Sequence, residues 1–335
     1  MKNNQKIKVL GAGSPVVDLL AYVDDSFLEK NISGEKGGME LISSEELNDI
    51  LKQLKNPFKA PGGSAGNTIF ALCRLGAEGC LTGRIGDDEN GNFYKSSLEN
   101  AKGNTQKLKT DNSAPTAKSL CMVTPDAART MRTHLGAAMN LNTEDIKPED
   151  FKDFPLLHTE GYLIFNRDLI THILRTAKEA GCLISLDLAS FEVVNASKDF
   201  LPDLLKNYVD IIFANEDEAK AFAETDDIDK ALDVLSQFCS ICAVKNGAKG
   251  SVIKSEKEKI KIEPIFCDSP IDTTGAGDYW AAGFLYGYLK NLPLEICGSL
   301  GSVLGAEAVS VLGAELTDEQ WERIFIRTNE ILHIT

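Results

Sequence analysis

A glycine-rich stretch followed by an acid carries the groups that phosphoryl transfer requires. Residues 272–285 read DTTGAGDYWAAGFL, so a turn with two glycines runs directly into an apolar segment of helical character. Glycines let the backbone approach a ligand closely, and free N–H groups at a helix N-terminus bind anions. Asp278, in the first turn of that helix, could accept the proton of an attacking hydroxyl. The N–H groups that would stabilise a phosphoryl group belong to Gly275, Ala276 and Gly277.

The same stretch has a simpler interpretation. Thr273 or Thr274 could cap an ordinary helix, and Asp278 could merely complement the positive end of the helix dipole. For an arbitrary sequence this second interpretation is the commoner one. The choice between the two therefore depends on the other segments of the chain.

A second glycine-rich turn, PGGSAGN at residues 61–67, precedes another helical segment. Gly62 and Gly63 would let the chain pass under a sugar ring, and Asn67 offers a donor and an acceptor for paired hydroxyls. A plain loop before a helix is the alternative.

Asp18 is an acid within the apolar run 16–23, where an unpaired buried charge is costly. It either binds a ligand or lies at a surface edge.

Two further turns follow strand-like runs in the second half of the chain. In NEDE, residues 215–218, Asn215 is a typical helix N-cap, and Glu218 could order water around a metal ion. Both roles can coexist. In KNGAKG, residues 245–250, Gly247 and Gly250 would form a glycine turn. Lys245 either contacts a phosphate or points into solvent.

Alternating strand-like and helical segments must position these turns. Periodicity predicts strands at 7–10, 80–85, 156–159, 183–188, 209–214 and 241–244. It predicts helices at 66–75, 92–101, 169–180, 191–206, 228–238, 276–289, 293–311 and 318–332. Such β/α alternation indicates a mainly parallel sheet flanked by helices.

One region breaks this alternation. Residues 120–123 and 130–134 are predicted strands joined by a turn at 125–128, and they favour a small β lid. Ser43 and Glu46 predict a capping box before a helix, and a loop is expected at 56–61. The predicted division assigns 1–15, 43–112 and 140–335 to an α/β core and 16–42 and 113–139 to the lid.

Composition narrows the class of protein. The 335 residues are 43% hydrophobic, and 35 Lys and Arg against 50 Asp and Glu leave a net charge of −15. Such a charge disfavours nucleic acid and anionic membranes as partners. Eight scattered cysteines, no apolar run near ~18 residues and no signal-like start predict a reduced, cytoplasmic protein without a membrane span. Cys239 and Cys242 lack the further ligands that a zinc site needs.

Taken together, the motifs resemble the ribokinase/PfkB superfamily of carbohydrate kinases from the first strand to the last helices. The resemblance implies a ribokinase-like three-layer α/β fold with a mainly parallel sheet and a β-sheet lid. It also implies ATP and Mg²⁺, with K⁺ as a further candidate. A dimer through the exposed edges of the lid strands is an alternative to a monomer.

The resemblance implies roles for individual residues. Asp278 becomes the catalytic base above the anion hole 275–277, and Asp272 and Thr274 lie where many members bind a monovalent cation. Asp18 and the turn with Gly62, Gly63 and Asn67 would bind sugar hydroxyls. Asn215 and Glu218 match the Asn-x-x-Glu associated with Mg²⁺ and phosphate. Gly247 and Gly250 would lie under ATP, although the family more often has Thr where this chain has Lys245.

Details of the motifs are most similar to the adenosine kinases. Ser64 stands where several sugar kinases have Lys, and residues 129–138 read RTMRTHLGAA. Arg129 or Arg132 could close over the substrate or lie in solvent. Tyr162 and Phe165 could stack on a base, although core packing is the commoner use of such residues. The expected acceptor is the 5′ hydroxyl of an adenosine-like nucleoside, with ribose or fructose as the alternative.

Two other classes compete with a kinase. A dehydrogenase could be argued from GAGSPV at 11–16, but its third glycine is missing and Asp18 comes too early for a ribose-binding acid. A sensor that binds nucleotide or sugar without turnover is the stronger rival, because a fold does not guarantee activity. Loss of Asp278 or of the glycine turn would mark a sensor, and both are intact.

Overall fold

The apolar segments form strands, and the computed structural model describes them within residues 7–126, 128–267 and 270–334. In chain order the strands are β1 Lys8–Ala12, β2 Val16–Tyr22, β3 Met39–Leu41, β4 Phe58–Gly62, β5 Glu78–Gly86, β6 Leu108–Asp111, β7 Ala117–Val123, β8 Arg129–His134, β9 Leu156–Glu160, β10 Leu183–Asp187, β11 Ile211–Asn215, β12 Ile241–Lys245, β13 Ser251–Ser255 and β14 Lys259–Ile262. They form two sheets.

The larger sheet contains nine strands in the order β14-β13-β12-β11-β10-β9-β1-β5-β6. Its strands are parallel from β6 to β12, and only β13 and β14 at one edge pair antiparallel. All six strands predicted for the core lie in this sheet, which confirms the mainly parallel architecture. The edge strands β13 and β14 escaped prediction because they are only five and four residues long and are interrupted by Lys and Ser.

The described helices include those that cover both faces of the larger sheet. In chain order they are α1 Asp25–Asn31, α2 Ser44–Leu51, α3 Ser64–Arg74, α4 Glu89–Asn100, α5 Arg167–Glu179, α6 Phe191–Ala196, α7 Leu201–Tyr208, α8 Glu216–Ala223, α9 Ile228–Leu235, α10 Ala276–Leu289, α11 Leu294–Ala308 and α12 Asp318–Ile334. No described helix is both apolar and long enough to cross a membrane.

Alternation along the strands produces two separate cores. Val9 and Phe213 pack into the core that contains α3, α10, α11 and α12. Their neighbours Leu10 and Ile212 pack into the opposite core with α5, α7 and α9. Successive strand residues point to opposite faces, so a sheet covered on both sides needs apolar residues at almost every position. The result is the expected three-layer arrangement.

The smaller sheet has the order β3-β8-β7-β2-β4. The predicted pair 120–123 and 130–134 is confirmed as the antiparallel strands β7 and β8, with Leu120 opposite Arg132. Ala127, in the predicted turn, lies outside the described residues.

The loop predicted at 56–61 is wrong, because β4 pairs antiparallel with β2 there. Its sequence FKAPG lacks alternation, and the neighbouring strand supplies the pairing that local pattern did not reveal.

Two other predictions change in the folded chain. The single helix expected at 191–206 is two helices, α6 and α7, because Ser197 ends the first and Pro202 lies in the first turn of the second. Proline lacks the N–H that a helix interior requires but is accepted in a first turn. The turn at 11–16 leads from β1 into β2 rather than into a helix, so the dinucleotide-binding geometry of a dehydrogenase is absent there.

Candidate active site

Four polar residues end four adjacent parallel strands of the larger sheet. Glu160, Asp187, Asn215 and Lys245 are the last residues of β9, β10, β11 and β12. Glu160 pairs in register with Asp187, and Asn215 pairs with Lys245. Ligands of open α/β sheets bind at the carboxyl ends of the strands. These residues therefore form one row along the edge where a ligand is expected.

The predicted glycine turn meets this edge at the N-terminus of α10. Gly275 is the N-cap, with φ of 72°, a left-handed conformation that favours glycine. A methyl group added at Gly275 would lie 2.8 Å from the Ala314 side chain. The turn therefore needs glycine both for its backbone and for its packing. Two residues begin α10: Ala276, whose N–H donates to the Thr273 carbonyl oxygen at 3.2 Å, and Gly277, whose N–H precedes the helical hydrogen-bond ladder.

Asp278 is held by the second glycine-rich turn. Ser64 Oγ donates to Asp278 Oδ1 at 2.7 Å, and Asn67 Nδ2 donates to Oδ2 at 2.9 Å. The hydroxyl of Thr68 donates to the backbone oxygen of Asp278 at 3.1 Å. The two motifs singled out in the sequence are thus joined directly through side chains of α3 and α10.

Burial and nearby charges shift the pKa of the Asp278 carboxyl group. Burial, followed by the negative charge of Asp187, raises the pKa of Asp278 to about 7, while Ser64, Asn67 and Lys245 act in the opposite direction. A general base works best when its pKa lies near the working pH. The arrangement is therefore suited to a carboxylate that accepts a proton near neutrality.

Asp18 faces the turn that contains Gly62 and Gly63. A methyl group on Gly62 would lie 2.3 Å from Asp18 Oδ2, and one on Gly63 would lie 2.2 Å from the Ser14 carbonyl oxygen. Gly63 also has φ of 88°. Burial, followed by the charge of Asp272, raises the pKa of Asp18 to about 7. The small sheet and α3 thus bring Asp18, Gly62, Gly63 and Asn67 to one place.

Glu160 is a site residue that the sequence did not reveal. Its carboxylate accepts from Ser14 N at 2.9 Å and from Ala65 N at 2.8 Å, so it ties the β1–β2 turn to the start of α3. The side chain is buried, and burial raises the pKa of Glu160. An acid at the end of the apolar strand 156–159 was the signal that could have found it.

Asn215 and Glu218 form the capping box that starts α8. Asn215 N donates to Glu218 Oε2 at 2.8 Å, and Glu218 N donates to Asn215 Oδ1 at 2.9 Å. Glu218 is only 2% exposed, and burial, followed by the charge of Asp187, raises its pKa to about 8. The predicted N-cap is confirmed. Glu218 also lies within electrostatic reach of Asp187 in the strand-end row.

The turn between β12 and β13 contains the two predicted glycines. Gly247 is exposed with φ of 51°, and Gly250 is buried with φ of 87°. A methyl group on Gly250 would lie 2.1 Å from the Ile262 carbonyl oxygen, so the close approach of β14 demands glycine there. Lys245, at the start of the turn, does not point into solvent, because its side chain is only 13% exposed.

The two candidate arginines of β8 have different surroundings. Arg129 contacts the glycine-rich turn before α10, with Nη1 at 2.8 Å from Asp272 Oδ1 and Nη2 at 3.2 Å from Thr273 Oγ1. Arg132 is buried in the small sheet, where it donates to the carbonyl oxygens of Ser33, Gly38 and Met131. Arg132 therefore stabilises the sheet, and Arg129 is the arginine that reaches the site.

Asp272 itself is fully buried and extensively hydrogen-bonded. Besides Arg129, its Oδ1 accepts from the N–H and the hydroxyl of Thr274, both at 2.8 Å. Its Oδ2 accepts from Gly313 N at 2.8 Å. The two residues predicted for a monovalent cation thus lie together, with a guanidinium already beside the carboxylate.

The aromatic residues after β9 are not core residues. Tyr162 is 40% exposed and Phe165 is 65% exposed, so the core packing expected of them is wrong. Burial of the hydroxyl, followed by the charges of Glu160 and Asp278, raises the pKa of Tyr162. Its phenol therefore lies within the electrostatic reach of Asp278.

Comparisons with known proteins agree with this geometry. A family model described as pfkB family carbohydrate kinase matches residues 34–321. The chain is 28% identical over 282 residues to a nucleoside kinase of Methanocaldococcus jannaschii, covering 82% of this chain and 87% of that protein.

Two solved structures are similar over nearly their whole length. One is a probable sugar kinase from Rhizobium etli, with a TM-score of 0.88, 31% identity and coverage of 97% and 99% of the two chains. The other is adenosine kinase from Sinorhizobium meliloti, with a TM-score of 0.86, 31% identity and coverage of 98% and 100%. With motifs, fold and site in agreement, the chain belongs to the pfkB family of carbohydrate kinases and is an ATP-dependent kinase.

Proposed function

We propose that this kinase transfers the γ-phosphoryl group of ATP to the primary 5′ hydroxyl of an adenosine-like nucleoside. The observation that carries the proposal is the position of Asp278, between the N-terminus of α10 and the turn that holds Ser64 and Asn67. A hydroxyl placed at this turn would lie beside a base and an anion-binding helix end at once. In-line transfer needs that juxtaposition.

The chemical step follows from these groups. The acceptor oxygen forms a bond to the γ-phosphorus, the bond from that phosphorus to the bridging oxygen of ADP breaks, and the hydroxyl proton passes to Asp278. The N–H groups of Gly275, Ala276 and Gly277 stabilise the charge on the transferring group. ADP leaves with the electron pair of the broken bond.

The acceptor would be held by the small sheet and the start of α3. Asp18, Gly62, Gly63 and Asn67 lie together and offer a carboxylate, close backbone access and an amide for sugar hydroxyls. The lid, assigned to residues 16–42 and 113–139, would cover this site and bring Arg129 with it. Its contact with Asp272 and Thr273 supports such a closure. Closure would exclude water from the reacting groups.

ATP would lie along the carboxyl ends of β11 and β12. Gly247 and Gly250 shape the turn proposed to lie under the nucleotide. No group of three or more acidic, His or Cys side chains among the described residues could hold a metal by itself. Mg²⁺ commonly takes one or two carboxylates, several waters and substrate phosphates. Glu218, backed by Asn215, fits a water-mediated role, and Mg²⁺ bound there would neutralise phosphate charge.

The nucleoside is favoured over a free sugar by two observations. Ser64, whose hydroxyl bonds to Asp278, stands where several sugar kinases have Lys, and exposed aromatic rings at Tyr162 and Phe165 offer stacking surfaces. Similarity to an adenosine kinase and a nucleoside kinase points the same way. Because a probable sugar kinase is equally similar, phosphorylation of ribose or fructose is the second candidate.

The test is acceptor-dependent release of ADP from Mg²⁺-ATP. The panel contains adenosine, other nucleosides, ribose and fructose, with 5′-deoxyadenosine as the matched compound that lacks the attacking hydroxyl. We expect turnover of adenosine, none of 5′-deoxyadenosine, and a 5′-phosphate product by phosphorus NMR. Turnover of sugars alone would overturn the nucleoside assignment. Binding of ATP and adenosine without ADP release would favour the non-catalytic sensor.

A further inference from the structure

Lys245 lies in a buried ion pair, which its position at the start of a turn did not predict. It is the last residue of β12, and its Nζ donates to Asp187 Oδ2 at 2.7 Å. The side chains of this pair are 13% and 7% exposed. A buried ion pair is weak evidence for stability, because desolvation of the two charges offsets their attraction. Because stability alone does not explain such a pair at the edge where a ligand is expected, the other neighbours of the ammonium matter.

The ammonium of Lys245 lies against the start of α10. A methyl group built on Gly277 would be 2.8 Å from Lys245 Nζ, closer than atoms pack without a shift. Gly277 lies in the first turn of α10 and is one of the residues whose N–H groups would form the proposed anion hole. The side chain and this helix end therefore present donors to one region. The missing side chain at Gly277 is what leaves space for the ammonium.

The charges around Lys245 keep it protonated. Burial lowers the pKa of Lys245, but the carboxylates of Asp187, Glu218 and Asp278 outweigh burial and raise it. An ammonium has three N–H donors, and the bond to Asp187 uses one of them. Two donors remain for oxygens of a ligand that approaches Gly277.

We propose that Lys245 is a catalytic residue that contacts the transferring phosphoryl group, and that Asp187 is its positioning residue. The ammonium donates to a phosphoryl oxygen and balances the charge that spreads over those oxygens as the bond to ADP breaks. Lys245 transfers no proton, because Asp278 takes the proton of the acceptor. The proposal rests on the placement of the phosphoryl group at α10 given under the proposed function.

The experiment compares Lys245→Met, Lys245→Thr and Lys245→Arg with the wild-type protein on whichever acceptor the wild type phosphorylates. Because kcat is compared on that acceptor, failure of the nucleoside assignment leaves this comparison intact. We expect kcat to fall about 10²- to 10³-fold in the Met and Thr variants, as for the loss of one oxyanion donor, with little change in the acceptor KM. Lys245→Arg should recover part of kcat because it keeps the charge.

Two controls separate catalysis from folding. Lys178→Met breaks the surface ion pair of Lys178 with Asp210, which lies just before β11, at the opposite end of that strand from the site, and it should leave kcat unchanged. The double variant Asp187→Asn with Lys245→Met removes both buried charges, so its melting temperature should exceed that of Lys245→Met alone while kcat stays low. Recovery of kcat in the double variant, or a kcat near wild type in Lys245→Met, would overturn the proposal.

Discussion

Ser64 Oγ lies 2.7 Å from Asp278 Oδ1, although 214 residues separate the two in the chain. The bond links the turn proposed to hold the acceptor with the base proposed to activate it. Because a hydroxyl donor stabilises the charged form of a carboxyl group, this bond lowers the pKa of Asp278 against the effect of burial. In the proposed function, this one hydrogen bond would couple acceptor binding to catalysis.

Removing that bond should shift the pH dependence of activity. In the wild-type protein, kcat/KM should fall about tenfold per pH unit below about pH 7, where Asp278 becomes protonated. Ser64→Ala loses the hydrogen bond, so the pKa of Asp278 should rise and the profile should move to higher pH. The measurement is kcat/KM between about pH 5.5 and about pH 9, a range that brackets the pKa of Asp278.

Ser43→Ala is the matched control for this profile. Ser43 caps α2 at the surface, where its hydroxyl accepts from Glu46 N. Its loss should lower stability by about 1 kcal/mol without moving the pH profile. A Ser64→Ala profile that coincides with the wild-type profile would contradict the role of this bond.

Neutralising Asp278 should stabilise the free protein while abolishing turnover. Its pKa rises from 3.8 to about 7 on folding, so the folded protein binds more protons between these values. The free energy of unfolding therefore declines as pH rises from about 4 to about 7. Asp278→Asn removes this decline.

The measurement is the melting temperature of the two proteins without ligands. At pH 8 the Asn variant should melt higher than wild type, and the gap should close toward pH 4. The exposed Glu256→Gln serves as the control and should show no such gap. Equal melting temperatures at pH 8 would argue against a raised pKa of the buried Asp278, and retained turnover would exclude it as the base.

Two glycines with similar backbone conformations differ in the space around them. Gly63 has φ of 88° and no room for a methyl group, whereas Gly76 has φ of 95° and nothing within 4 Å. Gly76→Ala should cost about 1 kcal/mol of stability from backbone strain alone. Gly63→Ala should cost more, because the Ser14 carbonyl must move, and it should also raise the acceptor KM.

Urea denaturation and steady-state kinetics check this pair. Gly76→Ala controls for the left-handed conformation, so the difference between the variants reports the close approach of Gly63 to Ser14. Equal losses in both variants, with an unchanged KM, would show that the turn does not shape the acceptor site.

Arg129 should limit the response to K⁺. Its guanidinium already lies 2.8 Å from the buried carboxylate of Asp272, which is part of the proposed cation site. The wild-type rate should therefore change little when K⁺ replaces choline at constant ionic strength. Arg129→Gln leaves that carboxylate without its partner, at a cost of about 3 kcal/mol in stability, and its residual rate should respond more strongly to K⁺.

The comparison is the ratio of rates in K⁺ and choline for each protein. Arg129→Lys keeps the positive charge and should behave more like wild type than Arg129→Gln does. A strong K⁺ response in the wild-type protein, equal to that of Arg129→Gln, would show that Arg129 does not substitute for the cation.

Periodicity alone was enough to predict six of the nine strands of the larger sheet and most of its helices. Strands covered on both faces carry apolar residues at nearly every position, as in 211–214, and such runs are visible in a single sequence. The helix N-caps at Ser43 and Asn215 could also be predicted from the sequence, because in each the cap and its Glu partner lie three residues apart. Strand β4 could not be predicted from the sequence, because its own residues lack the alternation of a strand and only its pairing with β2 makes it one.

The candidate site divides in the same way. Residue types and spacing singled out Asp278, Gly275 and Asn67, because an anion-binding turn is a local structure. The bond from Ser64 to Asp278, the support that Glu160 gives to α3, and the contact of Lys245 with Asp187 join distant segments. Local sequence pattern carries no information on such distances. Only the tertiary structure therefore shows that Arg129 reaches the site whereas Arg132 is buried in the small sheet, and that the side chain of Lys245 points inward.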